Sequence, residues 1–538
     1  MTIMTSSIPV PPMHVLRKLP LQWQLTAATA TVALLVSLFL LRRARGGLSK
    51  KFGRLPAGPA RVPVLGNLHQ LGPVSHRSLR DLARRHGPVM LLQLGTAAAV
   101  VVSSAEAARE VLRTHDVDCC SRPASPGPKR LSYGYKNIAF SPYDDYWREM
   151  RKLFVVELVS APRVKAAWRA RQDQVEKLIG KLTRPEPEAK PVKLNDHIFA
   201  LADGIIGAVA LGSIYGTERF AYRMRFQHVL DDAMDMMASF SAEDFFPNAA
   251  GRLVDRLTGL VARRERVFEQ LDAFFETVIE QHLDSSRTSS TPDGGGGNLV
   301  DVLIGLWKQG KQYGDLRFSR EHVKAIIFDA FLGGIYTSSV TILWAMAELI
   351  RAPRVMRKVQ GEIRAVVGDG DGGRVQPDDL PRLKYLKMVV KETLRLHPPA
   401  TLLLPRETMR HVKIGGYDVP AKTRVLVNAW AIGREPARWD EPEVFDPDRF
   451  EHKDVEFNGA HMELVPFGAG RRICPGLAMG AATVEFTLAN LLHCFDWALP
   501  EGMAAEEVSM EEAGGLVIHR KTPLVLVPTR YIQVQDFI

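Results

Sequence analysis

Cysteine is scarce in this chain of 538 residues, which contains four: Cys119, Cys120, Cys474 and Cys494. The adjacent pair Cys119 and Cys120 is poorly suited to a disulfide, and no spacing of cysteine and histidine matches a zinc or iron–sulfur site. A chain without a disulfide framework is typical of a reducing compartment. Cys494 lies in an apolar helical pattern, which favours a packed thiol over a metal ligand.

Acidic residues are absent from the first 55 positions, where eight lysine and arginine residues stand. The net charge of the whole chain is +10, so most of the excess is N-terminal. A nucleic-acid-binding protein would carry its basic residues as a stripe on a folded domain. Basic residues that flank an apolar run indicate a membrane-proximal segment instead.

An uncharged, mostly apolar segment runs from Leu25 to Leu41 and approaches the length that spans a bilayer. More basic residues follow the segment than precede it, which predicts a cytosolic downstream chain. A cleaved signal peptide is the alternative interpretation, but the run is long for one and no small-residue cleavage site precedes Arg42. We therefore predict a transmembrane signal anchor at 25–41, with a lumenal flank at 1–24.

A basic and proline-rich stretch follows at 42–67, and its prolines fix φ and block helix formation. We interpret it as a stiff hinge before a catalytic domain at 68–538. Helical periodicity dominates the chain to about residue 350, apart from a short β-hairpin region at 86–103. Short strands are expected in three later stretches, at 412–414, 425–428 and 516–519. The predicted fold class is mainly α with a minor β-sheet region.

The most distinctive stretch is Phe467-Gly468-Ala469-Gly470-Arg471-Arg472-Ile473-Cys474-Pro475-Gly476, which opens an apolar helical pattern. Positive charge and a helix N-terminus favour the thiolate form of the lone cysteine. A single thiolate can serve as the axial ligand of a haem iron, and glycines let the backbone approach the ring closely. A glycine- and arginine-rich surface loop with a buried cysteine is the other interpretation.

The stretch resembles the haem-thiolate loop of the cytochrome P450 monooxygenases and matches F-x-x-G-x-R-x-C-x-G at every fixed position. The resemblance implies a cytochrome P450 fold behind a single N-terminal transmembrane helix. It also implies haem b (iron protoporphyrin IX) as cofactor, with Cys474 as the axial ligand of the iron. Phe467, Gly468, Gly470 and Gly476 are assigned to the cofactor's surroundings by the same resemblance.

Four further residues match positions that hold the haem propionates in this family. Trp147 and Arg151 form its W-x-x-x-R pattern on one helix face, and Arg406 and Arg472 match two other arginine positions. Arginine is well suited to carboxylates because its guanidinium can donate two parallel hydrogen bonds. The resemblance therefore implies that these four residues bind the cofactor.

Glu392 and Arg395 stand three residues apart in an apolar helical pattern, so their charges must pair or be costly. Arg449 lies in a P-x-R-F sequence further along the chain. The family's E-x-x-R and P-x-R-F motifs form a buried Glu–Arg–Arg cluster. The resemblance thus implies a structural, not a catalytic, role for these three residues.

Two glycines, Gly333 and Gly334, interrupt a long apolar helical pattern, and hydroxyls follow at Thr337 and Ser338. Such residues weaken the helical hydrogen-bond ladder, although tight packing against another element is an alternative explanation. In the family this pattern receives dioxygen, and Thr337 matches the residue that steers protons to it. The family's acid position holds Tyr336, and a phenol is a poorer proton relay at neutral pH. We expect this exchange to weaken hydroxylation.

The chain has no G-x-G-x-x-G sequence after a strand and no flavin module, so its electrons must come from outside. The resemblance implies an NADPH–cytochrome P450 reductase as partner, molecular oxygen as co-substrate, a small apolar or aromatic substrate, and no nucleic acid. It also implies a single-pass protein of the endoplasmic reticulum membrane, with the catalytic domain in the cytosol.

Three longer stretches, 117–129, 226–252 and 394–410, resemble the plant members that convert an aromatic aldoxime to a nitrile and then to a cyanohydrin in cyanogenic glucoside biosynthesis. Other interpretations remain open at this point. One is a plant family member that hydroxylates a terpenoid or phenylpropanoid. Another is an aldoxime dehydratase with weak monooxygenation, because of Tyr336. A non-enzymatic haem sensor is the third.

Overall fold

A computed structural model describes residues 53–183, 190–212, 223–284, 298–310, 312–313, 316–368 and 374–531. The predicted signal anchor, its lumenal flank and the first part of the predicted hinge lie outside these ranges.

The described residues form α-helices that we number in chain order. They are α1 Ser75–His86, α2 Ala105–Arg109, α3 Asp116–Cys119, α4 Pro126–Leu131, α5 Asp145–Leu158, α6 Ala161–Ala166, α7 Trp168–Leu182, α8 Leu194–Leu211, α9 Arg223–Ala238, α10 Ala242–Phe245, α11 Ala249–Leu257, α12 Leu260–Leu283, α13 Leu299–Lys308, α14 Arg320–Arg351, α15 Pro353–Val367, α16 Lys384–Leu396, α17 Ala429–Ile432 and α18 Leu477–Cys494. Short 3₁₀ segments include Pro447–Phe450 and Gly470–Arg472.

The strands are short and form small sheets. They are β1 Val89–Leu94, β2 Ala97–Val102, β3 Val192–Lys193, β4 Gln312–Tyr313, β5 Leu316–Arg317, β6 Arg406–Glu407, β7 Val412–Ile414, β8 Tyr417–Val419, β9 Arg424–Val427, β10 Phe495–Ala498, β11 Glu512–Gly514, β12 Ile518–Arg520 and β13 Val525–Arg530. This architecture confirms the predicted fold class of helices with a minor sheet.

The largest sheet in the described residues has the order β1-β2-β9-β6. The hairpin predicted at 86–103 is confirmed: β1 and β2 are antiparallel, with Val89 opposite Val102. β2 runs parallel to β9, with Val100 opposite Val425. Apolar clusters cover both faces of β2, which explains its unbroken run of alanine and valine. Strands also form at the other three predicted places, β7 with the predicted bounds and β9 and β12 shifted by one or two residues.

The second half of the predicted hinge packs on the folded domain. The Leu91 N–H donates to the Ala57 carbonyl at 2.9 Å, and the Asn67 N–H donates to the Gln93 carbonyl at 2.6 Å. The Asn67 side chain in turn accepts from the Gln93 N–H at 2.8 Å and is fully buried. Residues 57–67 therefore extend the edge of the β1 sheet and do not act as a free hinge.

Helix α14 crosses the core of the molecule and is buried along most of its length. It packs against α8, α13, α16 and α18, so apolar side chains surround it almost completely. By length and composition α8, α14 and α18 could each cross a membrane, but more than half of each apolar stretch is buried within the fold. These helices form the core that positions the candidate site.

Candidate active site

A cavity of about 370 Å³ lies among the loop before α18, the middle of α14 and the segment that leads into α5. Its walls are mostly apolar. The predicted site residues that line it are Trp147, Arg151, Gly333, Gly334, Thr337, Ser338, Arg406, Phe467, Gly468, Arg472, Cys474 and Gly476. Sequence positions separated by more than 300 residues therefore meet around one space. Tyr336 and Gly470 do not line the cavity.

The loop before α18 folds so that the Cys474 sulfur faces the cavity. The Cys474 backbone N–H donates to the Phe467 carbonyl at 2.9 Å. Gly468 and Gly470 have φ values of 69° and 70°. These left-handed conformations favour glycine. Of the two loop arginines, Arg471 points elsewhere and bonds Asp116, whereas Arg472 lines another part of the cavity. The cation that acts on the sulfur is Arg151 of α5.

Burial and nearby positive charge act in opposite directions on Cys474. Burial raises the pKa of the Cys474 thiol, and a hydrogen bond from the Gly476 N–H and the charge of Arg151 lower it. Burial has the largest effect, so it opposes the positive charge and the helix N-terminus that favour the thiolate. Because a coordinated metal ion deprotonates a thiol outright, ionisation of Cys474 is coupled to metal binding.

The two left-handed glycines of this loop allow a matched test. A Cβ at Gly470 would clash with the Leu112 carbonyl and stand 2.5 Å from the Asp116 Oδ1 atom, whereas a Cβ at Gly468 would come no closer than 3.8 Å to Leu403. Both alanine variants carry the left-handed cost of about 1–2 kcal/mol. We expect Gly470→Ala to lower the unfolding free energy clearly further than Gly468→Ala, as measured by chemical denaturation. Equal losses would contradict the close packing described for Gly470.

Buried positive charge collects at one edge of the cavity. Arg122, Arg151, Arg406 and Arg472 line it, against one lining carboxylate, that of Asp329, among the described residues. Burial lowers the pKa of Arg472 to about 9, and Arg406 and Arg151 lower it as well. Burial also lowers the pKa of Arg122. Arg406 already pairs with the Asp116 carboxylate, whereas Arg122, Arg151 and Arg472 bond backbone carbonyls. Crowded cations shielded from solvent are costly unless anionic groups join them, so this edge favours a ligand that carries carboxylates.

Hydrogen bonds fix these side chains and leave donors available. Arg406 donates to the Asp116 carboxylate and the Ala469 carbonyl, each at 2.9 Å. Arg151 donates to the Ile473 carbonyl at 2.6 Å. Because a guanidinium has five N–H groups, both keep further donors for a ligand.

Trp147 lines the cavity, but its hydrogen bond is not the bond to a haem carboxylate that the family resemblance implies. Its indole N–H, the only donor of the ring, bonds the Ile138 carbonyl at 3.0 Å. The Arg472 guanidinium stacks over the ring at 4.1 Å from its centre. In this structure Trp147 therefore supports Arg472 and does not donate into the cavity.

Sequence reasoning missed Arg122 as a cavity residue. Arg122 is nearly fully buried and donates to the Leu404 and Pro405 carbonyls at 2.7 and 2.8 Å. It belongs to no spaced pattern with the other site residues, so only long-range packing brings it to the cavity. Asp329, which also lines the cavity, stands four residues before Gly333 on the same face of α14, a spacing that the sequence does show.

One turn of α14 presents little side-chain bulk to the cavity. The Thr337 hydroxyl donates to the Gly333 carbonyl at 2.6 Å. This bond competes with the backbone hydrogen bonds of the helix. A Cβ at Gly333 would meet nothing within 4 Å, whereas one at Gly334 would clash with Ile206 of α8. Tight helix packing therefore explains Gly334, while Gly333 leaves open space beside the Thr337 hydroxyl.

Tyr336 lies on another face of α14. Its buried ring contacts Phe199 edge-on at 5.8 Å, and its hydroxyl donates to the Asp231 carboxylate of α9. Burial raises the pKa of Tyr336, and the bond to Asp231 raises it further, so the phenol stays neutral. The Tyr336 ring therefore stands beside the cavity and is turned towards the solvent-facing carboxylate of Asp231.

Glu392, Arg395 and Arg449 form one cluster outside the cavity wall. Arg395 donates to both Glu392 carboxylate oxygens at 2.7 and 2.8 Å, and Arg449 donates to one of them at 3.0 Å. The Glu392 and Arg395 side chains are fully buried. The cluster joins α16 to the Pro447–Phe450 segment and so supports the region that precedes the Cys474 loop.

The residues of the cavity fit a haem. They offer one thiol, a bare turn of helix, apolar walls and an arginine edge for two carboxylates. Within the described ranges, no group of three or more His, Cys, Asp or Glu side chains could hold a metal ion. A metal bound to Cys474 would therefore need most of its ligands from the cofactor itself, as a porphyrin provides.

Comparison with known proteins agrees with this geometry. The family model described as Cytochrome P450 matches residues 56–527. The chain is 64% identical to 4-hydroxyphenylacetaldehyde oxime monooxygenase of Sorghum bicolor, over 95% of this chain and 96% of that protein. It is 46% identical to 2-methylbutanal oxime monooxygenase of Manihot esculenta, over 96% and 99% respectively.

A solved structure of a zebrafish cytochrome P450 with progesterone has the same fold. It matches with a TM-score of 0.70 at 24% identity, over 84% of this chain and 99% of that one. With a family model that covers nearly the whole folded region, this chain belongs to the cytochrome P450 family of haem-dependent monooxygenases.

Proposed function

We propose that this chain converts an aromatic aldoxime to a nitrile and then to a cyanohydrin, with haem b bound to Cys474. The observation that carries the proposal is the 64% identity, across almost the full length, to a relative named as an oxime monooxygenase. A second relative named for an aliphatic oxime matches over a similar span. The mostly apolar cavity suits a small aromatic body with one reactive polar end.

Each lining group has a role in this scheme. The bound haem supplies the oxidising chemistry that inserts one oxygen atom of dioxygen into the substrate. Cys474 would bind the iron through its sulfur, and the arginine edge would bind the two carboxylates of the ring. The Thr337 hydroxyl donates to the Gly333 carbonyl, and rotation out of that bond would let it donate its proton to a ligand in the cavity. The side chains that exclude water and contact the substrate include Ala330, Leu403, Leu404, Leu516 and Val517.

The proposal includes attachment to the endoplasmic reticulum membrane by the anchor at 25–41 and an NADPH–cytochrome P450 reductase as the electron donor. An apolar surface supports the membrane part. Leu253 and Leu257 of α11 are exposed, as is Leu65 in the second half of the predicted hinge. The Leu65 carbonyl accepts from the Gly95 N–H, and Thr96, the residue after Gly95, bonds the Phe245 carbonyl at the end of α10. Since α10 packs against α11, the exposed leucines belong to adjoining elements.

The substrate is tested with the full chain, a plant reductase and NADPH. We expect 4-hydroxyphenylacetaldehyde oxime to be consumed and both nitrile and cyanohydrin to appear, with only the cyanohydrin dependent on dioxygen. Unreacted aldoxime, together with turnover of a terpenoid or phenylpropanoid from a ligand panel, would overturn the substrate assignment while leaving the family unchanged.

A second candidate function is dehydration of the aldoxime with little hydroxylation, and the neutral Tyr336 phenol favours it. Dehydration releases water without net oxidation, whereas hydroxylation consumes dioxygen, two electrons and protons. Since Tyr336 bonds Asp231, a carboxylate at position 336 needs its neighbour neutralised. We therefore expect the double variant Tyr336→Asp/Asp231→Asn to raise the cyanohydrin-to-nitrile ratio by about tenfold, less than the full effect of a positioned acid.

Asp231→Asn alone is the matched control and should leave the product ratio near that of the unaltered protein. The ratio is measured by chromatography under air with NADPH consumption recorded. A cyanohydrin-dominated product mixture that does not change in the double variant would exclude Tyr336 as the residue that limits hydroxylation.

A further inference from the structure

The loop between α4 and α5 at residues 137–141 is buried at the cavity. Asn137, Ile138, Phe140 and Ser141 are almost entirely shielded from solvent. Buried peptide groups require hydrogen-bond partners, which a loop does not provide for itself. The partners of this loop come from two separate groups of side chains, one for its donors and one for its acceptors.

A single carboxylate on α14 accepts three donors of the loop. The Asn137 side-chain amide donates to one oxygen of Asp329 at 2.8 Å. The Ile138 and Ala139 N–H groups donate to the other oxygen at 2.7 and 3.3 Å. Asp329 stands one helical turn before Gly333 and lines the cavity. Its carboxylate therefore fixes the loop to the same helix that presents Gly333 and Thr337.

The carbonyls of the same loop accept hydrogen bonds from side chains of the arginine edge and from Trp147. The Ile138 carbonyl accepts from Trp147 at 3.0 Å and from Arg472 at 3.2 Å. The Ser141 carbonyl accepts from Arg472 at 2.7 Å, and the Ala139 carbonyl accepts from Arg122 at 2.9 Å.

One peptide group connects the two sets. The peptide that joins Ile138 to Ala139 donates its N–H to Asp329 and accepts from Arg472 at its carbonyl. A carboxylate and a guanidinium thus polarise the same peptide from opposite ends, and each strengthens the bond that the other makes. The loop therefore transmits the position and charge of Asp329 to the arginine edge.

We propose that Asp329 is a positioning residue for the arginine edge, where the haem carboxylates would bind. Through residues 137–141, the Asp329 carboxylate holds Arg472, Arg122 and Trp147 in place. The inference rests on haem as the occupant of the cavity but not on the identity of the substrate. Burial raises the pKa of Asp329 to about 6, while the three bonds from the loop lower it. At pH 8 the group is ionised and contributes a negative charge beside the cavity.

The test uses holoprotein of Asp329→Ala and Asp329→Asn at pH 8, with haem transfer to apomyoglobin as the first readout. We expect haem to leave Asp329→Ala about tenfold faster, the size expected for loss of one hydrogen bond to a charged group. Asp329→Asn should rescue part of this loss, because its amide oxygen still accepts from Ile138 and Ala139. Hydrogen exchange at these two amides should follow the same order.

The haem midpoint potential is the readout that packing alone would not move. Removal of a negative charge should raise the potential in both variants. Asp272→Asn is the matched control, since Asp272 contacts α14 through Lys324 and bonds Tyr133 without touching residues 137–141. It should leave haem transfer and potential unchanged.

Wild-type rates of haem transfer, unchanged exchange and an unchanged potential in both variants would overturn the proposal. An increase in the KM for aldoxime alone would also overturn it, because Asp329 would then be a substrate contact. If the alanine variant does not fold, the haem midpoint potential and the amide exchange of Asp329→Asn test the proposal. Haem transfer, amide exchange and the midpoint potential do not require turnover, so failure of the aldoxime assignment would be seen separately.

Discussion

The Cys474→Ser variant is expected to lose monooxygenation entirely, with turnover at the level of protein without haem. Cys474 is the one cysteine that lines the cavity in the described chain, and Met479, the other lining sulfur near it, carries no ionisable group. A serine hydroxyl does not ionise at this site and cannot donate electron density to the iron as a thiolate does. The measurement is aldoxime turnover with reductase and NADPH, alongside the haem content of the purified protein.

Cys494→Ser is the matched control for this substitution. Cys494 is also a buried cysteine, at the far end of α18, and does not line the cavity. It should keep both haem and turnover, with at most a modest loss of stability. Turnover that survives in Cys474→Ser, or that falls equally in both variants, would contradict the assignment of the sulfur.

Glu392→Ala is expected to lower the unfolding free energy by about 3–5 kcal/mol, the cost of leaving a buried charge without its partner. The two guanidiniums of Arg395 and Arg449 share the Glu392 carboxylate, which also accepts from the Asp446 N–H at 2.9 Å. Arg395 would keep its bonds to the Gly433 and Pro442 carbonyls, but its charge would have no counter-ion there. Denaturant unfolding of the purified domain measures the loss.

Lys521→Ala provides the comparison for the Glu392 result. Lys521 pairs with Glu511 at 3.1 Å with both side chains largely exposed, and exposed pairs of this kind contribute little. We expect an unfolding curve close to that of the unaltered protein. If Glu392→Ala were as mild as Lys521→Ala, the cluster would not be the buried support that the geometry indicates.

Local sequence patterns predicted much of the fold and site. Alternating and unbroken apolar runs located the hairpin of β1 and β2, and the glycine and hydroxyl pattern located the bare turn of α14. The spacing around Cys474 predicted a sulfur that faces a cavity. These features depend on neighbours in the chain, so a sequence carries them directly.

Other features depend on packing between distant segments and could not be predicted. The bond from Tyr336 to Asp231 joins residues 105 positions apart, and the bonds from loop 137–141 to Asp329 span about 190. The burial of Cys474, which opposes the nearby charges, could not be predicted either, because burial is not visible in a motif. The packing of residues 57–67 on β1 was missed because proline content suggested only stiffness.

The central claim is that Cys474 binds the iron of a haem as a thiolate, and the spectrum of the reduced carbon monoxide complex tests it most directly. The account predicts the red-shifted Soret band that thiolate ligation produces, present in the wild-type chain and in Cys494→Ser and absent from Cys474→Ser. A wild-type complex that absorbs where histidine-ligated haem proteins do, or a chain purified under the same conditions that takes up no haem, would contradict it.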